Sequence, residues 1–305
     1  MQKVAVIGLG TMGPGMVATL ARAGLAVAAT DLSAEQRDRA SATIAAAGDV
    51  LDALGMPKQG AALAPRITAD LADCIADAEL VIENVPETLE LKIEVLRSVA
   101  AGVDESCLIA SDTSGIPISK LQAGLPAPGR VVGMHWSNPP HIIPIIEVVA
   151  GAETSPETVT RMVEIVRSLN LQPVVVKKDV PGFVENRILY AIMREAVDLV
   201  EQGVIEPEAL DTCVSWGIGY KLAVVGPMAL LDMAGLDIYQ AVGSYLNKEL
   251  CARPDVSAMI TEHTARGELG MKSGRGLFSY RPDEIAALRA ERAKKLVAVR
   301  KALEA

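Results

Sequence analysis

Between residues 3 and 177 the chain alternates two patterns. Short apolar runs are separated by longer stretches whose apolar residues recur at helical spacing. Residues 3–7, Lys-Val-Ala-Val-Ile, stop at Gly8 and predict a buried strand. Residues 12–23 predict a helix, 25–30 a second strand ending at Asp31, and the Ala-rich 34–55 another helix. Further strands are predicted at 79–84, 107–111, 130–135, 144–149 and 172–177, with helices at 87–102 and 116–123. Strands alternating with helices predict an α/β fold built on a parallel, doubly wound sheet. After Asp179-Val-Pro-Gly-Phe183 the strands stop and helical periodicity takes over at 186–202, 206–216 and 228–247. We place the domain joint at Pro181-Gly182, giving domains 1–182 and an all-helical 183–305.

Composition narrows the function. Half of the 305 residues are hydrophobic and 22% are charged, as expected of a globular two-domain chain. The net charge of −9 provides no basic field for nucleic acid. Aromatic residues, at 3%, are too few to form stacking platforms for a single strand. Cys74, Cys107, Cys213 and Cys251 show no C-x-x-C spacing, which argues against disulfides and zinc ribbons and for a reducing compartment. Of the three histidines, His135 and His141 are the only two close in sequence, and no cysteine is near them, so no metal site is expected. No apolar run reaches membrane-spanning length, and the first strand lacks the features of a cleaved leader. The expected location is the cytoplasm, with no membrane partner. The tail from 283 predicts an amphipathic helix. Ile285, Leu288, Leu296, Val299 and Leu303 form one face, and Arg289, Arg292, Lys294, Lys295, Arg300 and Lys301 form a solvated face.

Four segments carry candidate chemistry. In Gly8-Leu-Gly10-Thr11-Met12-Gly13, between the first strand and a helix, Gly8 permits a tight turn, Gly10 lets a diphosphate approach the backbone, and Gly13 lets helix and strand pack closely. Asp31, at the end of the second strand, can accept hydrogen bonds from both ribose hydroxyls and would repel a 2′-phosphate, which predicts NAD over NADP. In the second segment, His135 ends a strand and Glu147 lies inside an aliphatic run, where a lone buried carboxylate is costly. Paired across two strands they suit general base catalysis. The spacing equally fits a core histidine satisfied by backbone and a glutamate turned to solvent. In the third, the hydroxyls of Ser111-Asp112-Thr113-Ser114 suit a substrate oxygen or a helix cap. The fourth, Pro181-Gly182-Phe183-Val-Glu185-Asn186-Arg187, brings an Asn toward the site or simply caps a helix. His141, in a Pro-rich loop, reads as structural or as a gate.

Together these motifs resemble the 3-hydroxyacyl-CoA dehydrogenase family over nearly the whole chain. Val81-Ile-Glu-Asn-Val-Pro-Glu87, His-x-x-Asn138-Pro, Gly226-Pro-Met-Ala-Leu-Leu-Asp232 and Lys272-Ser-Gly-Arg-Gly276 add to the match. The resemblance implies an NAD-dependent oxidoreductase with a Rossmann-type domain before an all-helical dimerisation and substrate domain, working as a homodimer on a small-molecule substrate. It implies that His135 is the base and Glu147 its partner, with Ser114 and Asn186 touching substrate. It also implies that Glu87 and Lys92 line the nicotinamide side and that Asn138, counted with the cofactor residues, sits beside the base. There are departures: Asp112 where the family has Asn, Ser137 where it has an aromatic residue, and Lys221-Leu-Ala-Val-Val before Gly226. Residues 33–67 carry Arg37, Arg39, Lys58 and Arg66 against Glu35, Asp38, Asp49 and Asp52, leaving no net charge for CoA phosphates. These variants resemble a member that oxidises a small carboxylated aromatic aldehyde. A short-chain 3-hydroxyacyl-CoA dehydrogenase and a non-catalytic NAD-binding protein remain as alternatives.

Overall fold

The structure is a computed structural model describing residues 1–60 and 63–305. The chain forms two compact units, Met1–Arg187 and Ile188–Ala305. In the first, eight strands make one sheet in the order β3-β2-β1-β4-β5-β6-β7-β8. They are β1 Lys3–Ile7, β2 Ala26–Thr30, β3 Arg66–Thr68, β4 Leu80–Glu83, β5 Leu108–Ser111, β6 Val131–Trp136, β7 Ile145–Val149 and β8 Gln172–Val176. The helices are α1 Gly13–Arg22, α2 Ala34–Leu54, α3 Leu71–Ile75, α4 Leu89–Gly102, α5 Ile118–Gln122, α6 Pro156–Ser168 and α7 Glu185–Glu201. The first turn of α7 belongs to the first unit.

Period-2 side-chain alternation gives the sheet two cores. Val4, Val6, Leu80, Ile82, Leu108, Val132, Met134 and Trp136 pack with Met16 and Leu20 of α1 and Met162 and Val166 of α6. Ala5, Ile7, Val81, Ile109, Val131 and Val149 face the other way, toward Leu96, Val99, Ile118, Leu121 and Phe183. The sheet is parallel with one exception: β6 and β7 pair antiparallel. Only residues 137–144 connect them, too few for a crossover helix, so the chain must turn straight back. The α6 crossover then restores a parallel β7–β8 pair. The sequence reading of a parallel sheet therefore holds up to β6.

Several elements differ from expectation. The three-residue edge strand β3 was not predicted, because it is too short to show a pattern. In the second unit, the helix expected at 206–216 is α-helical over Pro207–Cys213 and widens to a π-helix over Val214–Gly219. The helix expected at 228–247 is two helices, Pro227–Ala234 and Leu236–Leu246, broken at Gly235 with φ +100°. The tail is helical over Ile285–Glu304, but its faces are not those expected. Leu288, Val299 and Leu303 are exposed, while Arg300 is buried and donates to Glu304 Oε1 at 2.7 Å.

Candidate active site

The chain reverses direction across the sheet between β1 and β4, and ligands of open α/β sheets bind at the strand ends beside such a point. The glycine turn lies there. A Cβ on Gly8, whose φ is +107°, would lie 2.2 Å from the Asn84 carbonyl oxygen, and one on Gly13 would lie 2.0 Å from that of Gly8. A Cβ on Gly10 would meet nothing within 4 Å. Thus Gly8 and Gly13 serve packing, whereas Gly10 leaves its face open. Thr11 and Met12 lead into α1, which has no side-chain cap and no acidic residue in its first turn, so its N-terminal amides suit an anion. Asp31 anchors the turn: its Oδ2 accepts the Leu9 amide at 2.8 Å and its Oδ1 the Ser33 amide at 2.8 Å. Arg37 reaches back from α2 to the carbonyls of Asp31 and Leu32, at 2.5 and 3.0 Å. Its guanidinium therefore lies beside Asp31, with Nη1 engaged on backbone oxygens. These features fit a dinucleotide.

A polar network runs along the ends of β4 and β5. Glu83 and Lys92, both almost fully buried, pair at 2.8 Å. Lys92 also donates to the Val85 carbonyl at 3.0 Å and lies 3.5 Å from Glu87 Oε2. Ser111 donates to Glu83 Oε2 at 2.6 Å. Glu87 Oε1 accepts from the Thr113 hydroxyl at 2.7 Å and from the Ser114 amide at 2.9 Å. Burial pushes the Glu87 carboxyl up, but the Thr113 bond, Lys92 and the Ser114 contacts hold it below the usual carboxylate range. The Ser114 hydroxyl lies 3.2 Å from Glu87, and the Ser114 carbonyl accepts from Asn186 Nδ2 at 2.7 Å. Thr113 caps the turn at 115–116 through the Gly115 and Ile116 amides, while Asp179 accepts from Ser119 in α5.

The second cluster depends on the antiparallel pair. Its register sets His135 directly opposite Glu147, on the same face of the sheet. His135 Nδ1 and Glu147 Oε2 are 2.7 Å apart, and both residues are buried. A carboxylate can only accept, so Nδ1 carries the proton and Nε2 is left for a substrate. Glu147 Oε1 accepts the Val184 and Glu185 amides at 2.9 and 3.2 Å, capping α7 from a neighbouring strand. Burial alone would raise the Glu147 carboxyl; the His135 bond and these two amides hold it down. Burial alone would lower the His135 imidazole; the Glu147 bond and the negative charges of Glu147 and Glu185 hold it up, and Asp112 adds to this only once it is ionised. Phe183, with φ +47° and no exposed surface, packs its ring 5.8 Å from that of His135.

Asp112 accepts the Trp136 amide at 2.7 Å. Burial pushes its carboxyl up to about 8, so at neutral pH it is mostly protonated and can donate as well as accept. That is how an Asp can stand where an Asn is usual. Ser137 donates to Glu185 Oε1 at 2.6 Å. Asn138 is exposed and begins the loop Asn138–His141, which with Thr11, Pro14, Gly15 and Thr43, Ala46, Ala47 and Val50 of α2 encloses a cavity of about 300 Å³. Burial lowers the His141 imidazole, and its buried Nδ1 has no partner among the described residues.

The candidates thus gather along one sheet edge in two clusters, His135 with Glu147 and Ser114 with Asn186, Glu87 and Lys92. The consecutive residues Glu185 and Asn186 link the two. Sequence reasoning gave no role to Glu83, Ser137 or Glu185. Glu83 was open to the same argument as Glu147, a carboxylate ending an apolar strand.

A dinucleotide-binding turn and a buried His–Glu pair on a doubly wound sheet define a nicotinamide-dependent dehydrogenase. Residues 3–180 match the NAD-binding domain of 3-hydroxyacyl-CoA dehydrogenase and residues 182–280 match its C-terminal domain. The chain belongs to the 3-hydroxyacyl-CoA dehydrogenase family and is an NAD-dependent oxidoreductase. It is 59% identical to 5-formyl-3-hydroxy-2-methylpyridine 4-carboxylate 5-dehydrogenase of Mesorhizobium japonicum, over 99% of this chain and 98% of that one. A crystal structure of an enzyme of the same name, described as an NAD⁺-dependent dismutase, is 58% identical, with TM-score 0.97 over 100% of this chain and 99% of the other. The (S)-3-hydroxybutyryl-CoA dehydrogenase of Ralstonia eutropha is more distant: 32% identity and TM-score 0.72 over 92% and 99%.

The buried ion pair can be tested through stability. Lys92→Met strands the Glu83 carboxylate and is expected to cost about 3–5 kcal/mol in urea unfolding, part of it recovered by adding Glu83→Gln. A loss below about 1 kcal/mol, the range of an exposed pair, would contradict the assignment.

Proposed function

We propose that this chain oxidises the aldehyde of 5-formyl-3-hydroxy-2-methylpyridine 4-carboxylate to the acid with NAD⁺, a step of vitamin B6 degradation. The observation that carries the reading is the near-complete match, at 58% identity, to a dehydrogenase of that aldehyde. Local chemistry supports it over an acyl-CoA. The face that α2 gives to the cavity is Thr43, Ala46, Ala47 and Val50, without a cation. The basic residues of the 33–67 segment are also engaged. Arg37 bonds backbone carbonyls, Arg39 pairs with Glu35, Lys58 with Asp52 and Arg66 with Asp73. CoA phosphates would meet little free positive charge there.

Hydride must leave a carbon that bears a hydroxyl, so the aldehyde reacts as its hydrate. The Gly8–Gly13 turn and Asp31 would hold NAD⁺, with Glu87, Lys92 and Asn138 on the nicotinamide side, and the bound cofactor would supply the hydride acceptor. His135 Nε2 takes the proton of one hydrate hydroxyl as the hydride departs. Glu147 keeps the ring oriented through Nδ1 and stabilises the imidazolium. Ser114 and Asn186 hold the substrate's oxygens. The product is the carboxylic acid, and one proton is released to solvent through His135. In the reverse sense the imidazolium protonates a second aldehyde as it is reduced to the alcohol. The same residues then serve a dismutation, as described for the relative. The base must be neutral for oxidation, so kcat/KM for oxidation falls as pH drops through the raised pKa of His135.

The assignment of 1–182 to cofactor and 183–305 to substrate and dimer contacts, in the cytoplasm, is part of this proposal. The helical unit exposes Trp216, Tyr220, Val224 and Met228, each about 70% exposed or more, which suits a two-fold interface. No single described helix is long and apolar enough to cross a membrane.

Two measurements test these readings. In an NADH-formation assay the pyridine aldehyde should be turned over efficiently and 3-hydroxybutyryl-CoA poorly. Efficient use of the CoA ester with none of the aldehyde would overturn the substrate in favour of the acyl-CoA reading. Light scattering should give a mass of two chains, and a monomer at micromolar concentration would refute the dimer.

A further inference from the structure

One carboxylate near His135 has no part in the steps above. Glu185 is the first residue of α7, and its amide already bonds Glu147 Oε1. A ring nitrogen of His135 and one carboxylate oxygen each of Glu147 and Glu185 all lie within 4.8 Å of one another. The carboxylate is fixed there, since Ser137, 7% exposed, donates to Oε1 at 2.6 Å. Ser137 stands where the family has an aromatic residue, and residue 185 falls at a variable place in the Asp-x-Pro-Gly-Phe-x-x-Asn motif. The pair is thus a feature of this chain and not of the family pattern.

A carboxylate beside a carboxylate is unfavourable unless a positive charge lies between them. The charge that forms here is the imidazolium of His135. Glu147 already orients the ring, so a second negative group adds nothing to orientation. What it adds is stability for the protonated form. An enzyme that only oxidised would gain little, because its base must be neutral to begin. One that also reduces needs the imidazolium as a proton donor.

We propose that Glu185, fixed by Ser137, is a positioning residue that keeps His135 available in both protonation states, so that one site oxidises one aldehyde and reduces another at the same pH. The inference rests on the aldehyde reading given above. The balance is complete: the hydrate loses a hydride and a proton to become the acid. A second aldehyde gains that hydride from NADH and a proton from His135 to become the alcohol. No outside oxidant or reductant is consumed.

The charged and titratable groups facing His135 are Glu147 on β7, Asp112 after β5 and Glu185 on α7, with Lys92 of α4 and Glu83 of β4 next to Asp112. Asp112 and Glu185 both lie outside the family pattern and can be neutralised without disturbing the His135–Glu147 hydrogen bond; of the two, Glu185 is the one held by the Ser137 hydroxyl. The chain has only three histidines, so each ring resonance can be followed by NMR in the free enzyme, with His135→Asn as the assignment control. In Glu185→Gln the His135 titration midpoint should fall by about half a unit or more. His141 and His263 should stay unmoved. Ser137→Ala, which loosens the carboxylate without removing it, should give a smaller fall in the same direction. With NADH or NAD⁺ supplied separately at one fixed pH, the rate of aldehyde reduction relative to that of aldehyde oxidation should drop in Glu185→Gln. An unmoved His135 midpoint in Glu185→Gln, or in Ser137→Ala should the first variant not fold, overturns the proposal. If wild-type protein turns over no pyridine aldehyde, the functional reading fails, and the dual role assigned to Glu185 fails with it even where the NMR shift is seen.

Discussion

The Glu147 carboxylate is the interaction on which the site depends. One oxygen holds His135 Nδ1 and the other holds the first amides of α7. A single buried anion thus fixes the ring, caps the helix and ties the end of the sheet to the element that carries Glu185 and Asn186. Each bond is charge-assisted, and each offsets part of the cost of burying the carboxylate. The arrangement exists because β6 and β7 run antiparallel, which places residues 135 and 147 opposite each other on one face. A parallel pair would have required a long crossover between them.

The same trade recurs on β4, where Glu83 is buried against Lys92, Ser111 and the Val85 amide. Glu83 ends β4 and Glu147 lies within β7, with β5 and β6 between those strands. Each is satisfied partly from the adjacent strand, by Ser111 or His135, and partly from outside the sheet, by Lys92 of α4 or the first amides of α7. Asp112 follows the other route. Lacking a cation of its own, it is pushed by burial toward the protonated form and bonds the Trp136 amide beside the base. Charge is therefore concentrated where it orients His135 and withheld where it would compete with it.

Much of this was legible in the sequence. The glycine spacing and Asp31 marked the tight turn between β1 and α1, and a carboxylate inside Pro144-Ile-Ile-Glu147-Val-Val called for a partner. Other features were hidden for identifiable reasons. The reversal at β7 depends on loop length, which periodicity does not register. The break at Gly235 lies in a continuous apolar pattern, because apolar spacing does not report a φ of +100°. Ser137 and Glu185 are 48 residues apart, and a hydrogen bond between them leaves no local signature. Arg300 looked like part of a solvated face, since sequence spacing cannot show which stripe of an amphipathic helix is covered.

The central claim is that His135 and Glu147 act as one catalytic unit. It is tested most directly by a double-mutant cycle on kcat for aldehyde oxidation. His135→Ala should cost about 10²–10⁴, the usual worth of a general base. Glu147→Gln should cost less, and the two together should cost little more than His135→Ala alone, because a partner has no work once the ring is gone. Near wild-type kcat in His135→Ala, or losses that simply multiply in the double variant, would contradict it.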